Sequence, residues 1–121
     1  MSQPPKITGL KRLLNAAHYS VEGLKTTFID ETAFRQELMA CLILIPLALW
    51  IAPDNMSPTL MLGSLMMVLV VELINSAIEA VVDLHSTAVH PLAKKAKDAG
   101  SAAVLMMIGI TTLCWVLIFI R

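Results

Sequence analysis

Charge is scarce in this sequence. Asp, Glu, Lys and Arg together make up 15% of 121 residues, nine acidic against nine basic, so the net charge is zero. Such a balance provides no basic stripe for a phosphate backbone, and no nucleic-acid partner is expected. Aromatic residues are few, at 5%. The two cysteines, Cys41 and Cys114, stand in separate apolar segments. Their separation fits neither a metal knuckle nor a redox pair, and both read as buried free thiols. No GxxxxGK[ST] run occurs, and the chain has no room for the protein-kinase signature set. The first thirty residues lack an apolar core with a cleavage site, so no removed signal peptide is expected. No repeat or low-complexity tract is present.

What the sequence does have is apolar length. Hydrophobic residues make up 57% of the chain, outside the usual soluble balance and in the range of membrane proteins. The expected fold is all-α, a single membrane-embedded domain over 1–121. An N-terminal amphipathic surface helix covers about 8–30, and three transmembrane helices cover about 33–52, 58–83 and 99–120. In the surface helix Leu10, Leu13, Leu14, Ala17, Val21, Leu24 and Phe28 recur at helical spacing as one apolar stripe. Lys11, Arg12, Asn15, Tyr19, Glu22 and Lys25 fill the rest of the circumference, the pattern of a helix lying in a membrane surface. Pro46 falls inside the first span, where membrane helices tolerate it.

Lys and Arg set the orientation. Lys6, Lys11, Arg12, Lys25 and Arg35 precede the first span, and Lys94, Lys95 and Lys97 lie between the second and third. The connector "PDNMSP" has none, and only Arg121 lies beyond the third span. The N-terminus and the connector between the second and third spans are therefore expected on the cytoplasmic side of the inner membrane. Trp50 and Trp115 then fall towards the outer interface, where indoles are favoured.

One stretch breaks the apolar pattern. "VVELINSAIEAVVD" (70–83) places Glu72, Asn75, Ser76, Glu79 and Asp83 within roughly 100° of one helical face. If hydrocarbon ends near Ala77, Glu72 lies about 7 Å inside it and Glu79 at its boundary. Ionisable groups at that depth are costly and mark function by default. A half-desolvated Glu72 suits a general base, and a carboxylate at the wet edge suits a hard cation such as Mg²⁺. The plainer alternative is that Glu79 and Asp83 end the helix in water while Glu72 pairs with a basic group in the bundle.

These residues carry a resemblance. "DETAFRQE" (30–37), "VELINSAIEAVVD" (71–83), "AKDAGSAAV" (96–104) and the "AAHYS" region (16–20) occur in the order and at separations similar to those of the small bacterial integral-membrane diacylglycerol kinases, which include undecaprenol kinases. The resemblance implies a homotrimer with composite active sites at the cytoplasmic interface, transferring the γ-phosphoryl of MgATP to the hydroxyl of diacylglycerol. On this sequence Glu72 resembles the catalytic base, and Glu31 and Glu79 the Mg²⁺ carboxylates. Arg12, Tyr19, His90, Lys97 and Asp98 match nucleotide-site positions, together with Glu31 and Glu79. The lipid-substrate side takes in Arg12, Tyr19, Ser20, Ala33, Phe34, Arg35, Gln36, Glu37, Trp50, Glu72, Asn75, Ser101 and Trp115. The chain departs from the family at His18, Val21 and Asn15, and reads Ala88-Val89-His90 where an acidic-aromatic-His run is common.

Physical chemistry bears on several of these positions. With the third span opening near Ala99, Lys97 would precede a helix N-terminus, where free N–H groups favour anions, and Asp98 would cap it. The lysines can also be read as topology signals alone, and His90 as an interfacial loop residue. Undecaprenol is the alternative substrate lipid. A small oligomeric transporter, using the Glu face as an ion relay, is the alternative of a different class.

Overall fold

The computed structural model of the chain describes residues 3–6, 8–85 and 90–120. Ala88 and Val89 of the divergent run, and Arg121 beyond the third span, lie outside the described residues. Four helices follow one another: α1 (Leu10–Asp30), α2 (Thr32–Ile51), α3 (Ser57–His85) and α4 (Pro91–Ile120). The fold is all-α, and α2, α3 and α4 are each long and apolar enough to cross a membrane.

Helix α1 starts after Gly9, whose φ of 72° is easy only for glycine. It runs without a break to Asp30 and buries none of its residues. Leu10, Leu13, Leu14 and Val21 stay exposed. An uncovered stripe of this kind is what a helix resting on lipid presents. Glu31 is the whole junction: its extended backbone (φ −111°, ψ 110°) ends α1 and begins α2. Its amide still donates to the Thr27 carbonyl at 2.9 Å.

Helix α2 contains Pro46 and continues through it. Phe34, Cys41 and Ala48 are its buried residues, spaced by sevens on one face. Phe34 and Cys41 pack with Leu65 and Leu69 of α3, with Leu38, Leu73 and Trp115 around them. The connector to α3 is capped by Asp54, whose carboxylate accepts from the Met56 and Ser57 amides and the Ser57 hydroxyl at 2.7–2.8 Å. Those three bonds favour the ionised form and hold the Asp54 carboxyl below its ordinary value.

The main packing is α3 against α4, more extensive than α2 against α3. Only 11% of the most apolar stretch of α4 is buried within the chain. Leu105, Met106, Leu113 and Ile120 point outward, so most of the apolar surface must meet lipid or other subunits. At about 1.5 Å per residue, the 29 residues of α3 exceed the roughly 30 Å of hydrocarbon by about two turns.

The third apolar helix differs from its expected start. Its α-helix begins at Pro91 rather than near Ala99. Proline suits a first helical position, and "LAKKAKDA" is made of strong helix formers. Apolar depth marks where hydrocarbon begins, which is a different boundary from where hydrogen bonding begins. Asp98 is consequently not an N-cap, and Lys97 lies two turns inside the helix instead of ahead of it.

Candidate active site

The polar face of α3 is buried rather than solvated. Glu72 is 4% exposed, Asn75 7% and Ser76 9%, while Glu79 one turn on is half-buried. Across from them stands Glu37 of α2, close enough for its carboxyl to act on the Glu72 carboxyl. The charges of Glu79 and Glu31 also reach Glu72. Glu37, Glu31 and Glu79 are thus the carboxyl groups whose charge bears on Glu72, and no basic side chain is paired with it among the described residues. A Glu72–basic pair, the plainer alternative, is absent among the described salt bridges.

The cluster is incompletely satisfied. Glu37 Oε2, Asn75 Oδ1 and Ser76 Oγ are buried with no hydrogen-bond partner among the described residues. Leaving a buried polar atom unpaired costs about 1–3 kcal/mol, so three together need a reason.

A cleft of about 700 Å³ opens beside the cluster between α1 and α3. Ser20, Gly23, Thr27 and Glu31 line one side, and Ser76 and Ala80 the other. The elbow that forms its end is tied by Arg35. One guanidinium nitrogen donates to the carbonyls of Phe28 and Ile29, both at 2.7 Å, and the second to the Thr32 hydroxyl at 3.1 Å. α1 has no basic residue of its own in its last turn, and Arg35 supplies that missing cation from the next helix. This role was hidden in the sequence, where Arg35 reads as a substrate or topology residue.

The remaining positions are spread along the helices. Arg12 lines a separate shallow depression at the start of α1, and Tyr19 is exposed beside His18. Neither lines the α1–α3 cleft. His90 precedes α4, and its Nδ1 accepts from the Leu92 amide at 3.1 Å. Lys97 pairs with Asp83 of α3 at 2.6 Å, and Lys94 with Asp98 within α4. Asp83, which could be read as a plain helix end, therefore joins α3 to α4. Ala33, Gln36 and Ser101 are exposed, and Phe34 is in the core at 4%. Trp50 is 83% exposed. Trp115 is half-buried and donates its indole N–H to the Met61 carbonyl at 3.3 Å. Glu37 also opens on a narrow apolar groove of about 230 Å³, flanked by Cys41, Leu65, Val68 and Thr111.

Among the described residues, no three His, Cys, Asp or Glu side chains come together as a metal centre. The oxygen donors of Glu31 and Glu79 nevertheless suit a hard cation. Mg²⁺ commonly takes one or two carboxylates and completes its shell with water and substrate phosphate.

Comparison with known proteins bears on the whole chain. The family model described as prokaryotic diacylglycerol kinase matches residues 18–119. A diacylglycerol kinase of Escherichia coli K12 is 45% identical over 108 residues, covering 89% of this chain and 88% of that protein. One from Helicobacter pylori is 48% identical over 112 residues, covering 93% and 88%. One from Pseudomonas aeruginosa is 44% identical over 113 residues, covering 93% and 92%.

Proposed function

The chain belongs to the prokaryotic diacylglycerol kinase family and is a lipid kinase of the membrane; from that premise we propose that it moves the γ-phosphoryl of ATP to the hydroxyl of diacylglycerol, giving phosphatidic acid and ADP. The observation that carries this reading is Glu72, buried at membrane depth against Glu37 and overlooked by the Glu31 elbow. Relatives named diacylglycerol kinase favour that lipid over undecaprenol.

In the proposed reaction a Glu72 oxygen accepts the proton of the lipid hydroxyl as that oxygen attacks the γ-phosphorus. The bond from the γ-phosphorus to the β,γ-bridging oxygen breaks, and ADP leaves. Asn75, one turn on, and Glu37 opposite hold the reacting end of the lipid in place. Glu31 and Glu79 would hold Mg²⁺, which supplies positive charge against the phosphates when bound. Arg12, Tyr19, His90, Lys97 and Asp98 are assigned to the nucleotide, with Lys97 exchanging Asp83 for a phosphate oxygen. Ser20, Ala33–Glu37, Trp50, Ser101 and Trp115 are assigned to the lipid side. Phosphoryl transfer asks for positioning and charge rather than covalent help, which are the roles proposed for these residues.

The whole chain acts as one membrane-embedded kinase domain, with its N-terminus and active site on the cytoplasmic side of the inner membrane. Sites are shared between the subunits of a homotrimer. The support is the open cleft and the large uncovered apolar surface of α4. A transporter is the weaker reading, because the Ser64 and Thr111 hydroxyls in the other half of the bundle are spent on backbone carbonyls and leave no polar file.

The test is to incubate the purified protein in micelles with MgATP and diacylglycerol, undecaprenol or no lipid. Phosphorylated diacylglycerol forming at least about tenfold faster than phosphorylated undecaprenol, a difference of about 1.4 kcal/mol in the barrier, is the expected result. The reverse preference, or ATP consumption independent of lipid, would contradict the proposal.

A further inference from the structure

Beside the polar face of α3, Gly100 of α4 packs against the Asn75 side chain. Gly100 is buried, and a Cβ placed there would stand 2.1 Å from Asn75 Oδ1 and 3.2 Å from its Cγ. The third nearest atom is the Asn75 Cβ, at 3.8 Å, an ordinary contact. All three belong to the Asn75 side chain, so glycine is not required to let the two backbones meet. What it makes room for is an amide. That amide is 93% withdrawn from solvent by the 7% exposure of its residue, and its Oδ1 has no partner.

We propose that Gly100 is a positioning residue for phosphoryl transfer, whose missing side chain admits the Asn75 amide into α4 and so fixes its rotamer beside Glu72. The inference rests on the reading of Glu72, Asn75 and Glu79 as the reactive face. An amide held between two helices costs little reorganisation when the lipid hydroxyl arrives, whereas a displaced one must be moved back at every turnover. A methyl group at position 100 removes that pocket. Because the contacted atoms belong to a side chain with several staggered wells rather than to backbone, the methyl displaces the amide before it parts the helices.

Four proteins test this: wild type, Gly100→Ala, Asn75→Ala and the double variant, with turnover and thermal midpoint measured in micelles on assembled protein. Misplacement of a reacting group by about 1 Å costs up to about 100-fold. Gly100→Ala should accordingly lower kcat at least about tenfold while leaving the KM for MgATP within about threefold. In the Asn75→Ala background the same change should alter kcat by less than about twofold, because the clashing amide is gone. Any fall of the thermal midpoint in Gly100→Ala should likewise be reversed in the double variant. If Gly100→Ala fails to assemble, recovery of assembly in the double variant supports the proposal and continued failure overturns it. Multiplying losses in the double variant, or wild-type turnover in Gly100→Ala or Asn75→Ala, would also overturn it. Glu72→Gln serves as the control for the underlying reading: near-native turnover there removes the reactive face itself, whatever the cycle shows.

Discussion

Two halves of the same bundle treat polar groups in opposite ways. Near the α2–α3 connector, Ser64 donates to the Met61 carbonyl, Thr111 to the Ser64 and Met107 carbonyls, and Trp115 to the Met61 carbonyl. Every one of those side-chain donors has an acceptor. Near α1, the same α3 carries Glu72, Asn75 and Ser76, and three buried polar atoms of that region have no partner. Both halves share the one continuous helix α3, so helix type does not explain the contrast. A half that only has to stay folded closes its hydrogen bonds. A half that receives substrates, as proposed for this one, leaves them open.

Breaking the open half should have the largest effect. Glu72→Gln keeps the shape of the side chain and removes its basicity, and loss of a general base typically lowers turnover by about 10²–10⁴-fold. A radiolabel assay on assembled protein measures it, and turnover within a few-fold of wild type would refute the assignment. A smaller effect is expected from Glu31→Gln and Glu79→Gln. Each removes one anionic oxygen from the proposed Mg²⁺ site, so the Mg²⁺ concentration for half-maximal activity should rise. Titration curves that superimpose on wild type in both variants would dissociate these residues from the metal.

The closed half should answer differently. Thr111→Val removes the hydroxyl that ties α4 to Ser64, at a cost of about 0.5–1.5 kcal/mol. The thermal midpoint should fall slightly while turnover per assembled protein stays within about twofold, a change under about 0.5 kcal/mol in barrier. A loss of turnover with an unchanged midpoint would mean that the connector half is also part of the site.

How much of this was legible in the sequence depends on whether a feature is local. Apolar length and helical spacing announced α1, α2 and α3 almost to the residue, because burial in lipid and helix periodicity act along the chain. Glu72, Asn75 and Glu79 stood out for the same reason, as polar letters in an apolar run. The start of α4 did not, since hydropathy reports the edge of hydrocarbon while Pro91 and His90 set the first hydrogen bonds. Pairings between elements were also hidden. Nothing at position 100 says that its absent Cβ faces Asn75, or at position 35 that a guanidinium caps α1. Lys97 and Asp83 each had a plain topological reading until α3 and α4 were seen side by side. Opposite charges at the facing ends of consecutive spans are the sequence signal for that last pair.

The contrast between the halves reduces to the sign of one quantity. Glu72 is a buried carboxyl under the influence of the Glu37 carboxyl, an arrangement that costs stability and that the proposed reaction puts to use. The decisive measurement is the thermal midpoint of assembled Glu72→Gln in micelles without nucleotide or substrate lipid, set against Thr111→Val. The account predicts that Glu72→Gln melts higher than wild type while Thr111→Val melts lower. A Glu72→Gln protein that assembles but melts below wild type would show that Glu72 holds the bundle together, and would contradict the division between a closed structural half and an open reactive one.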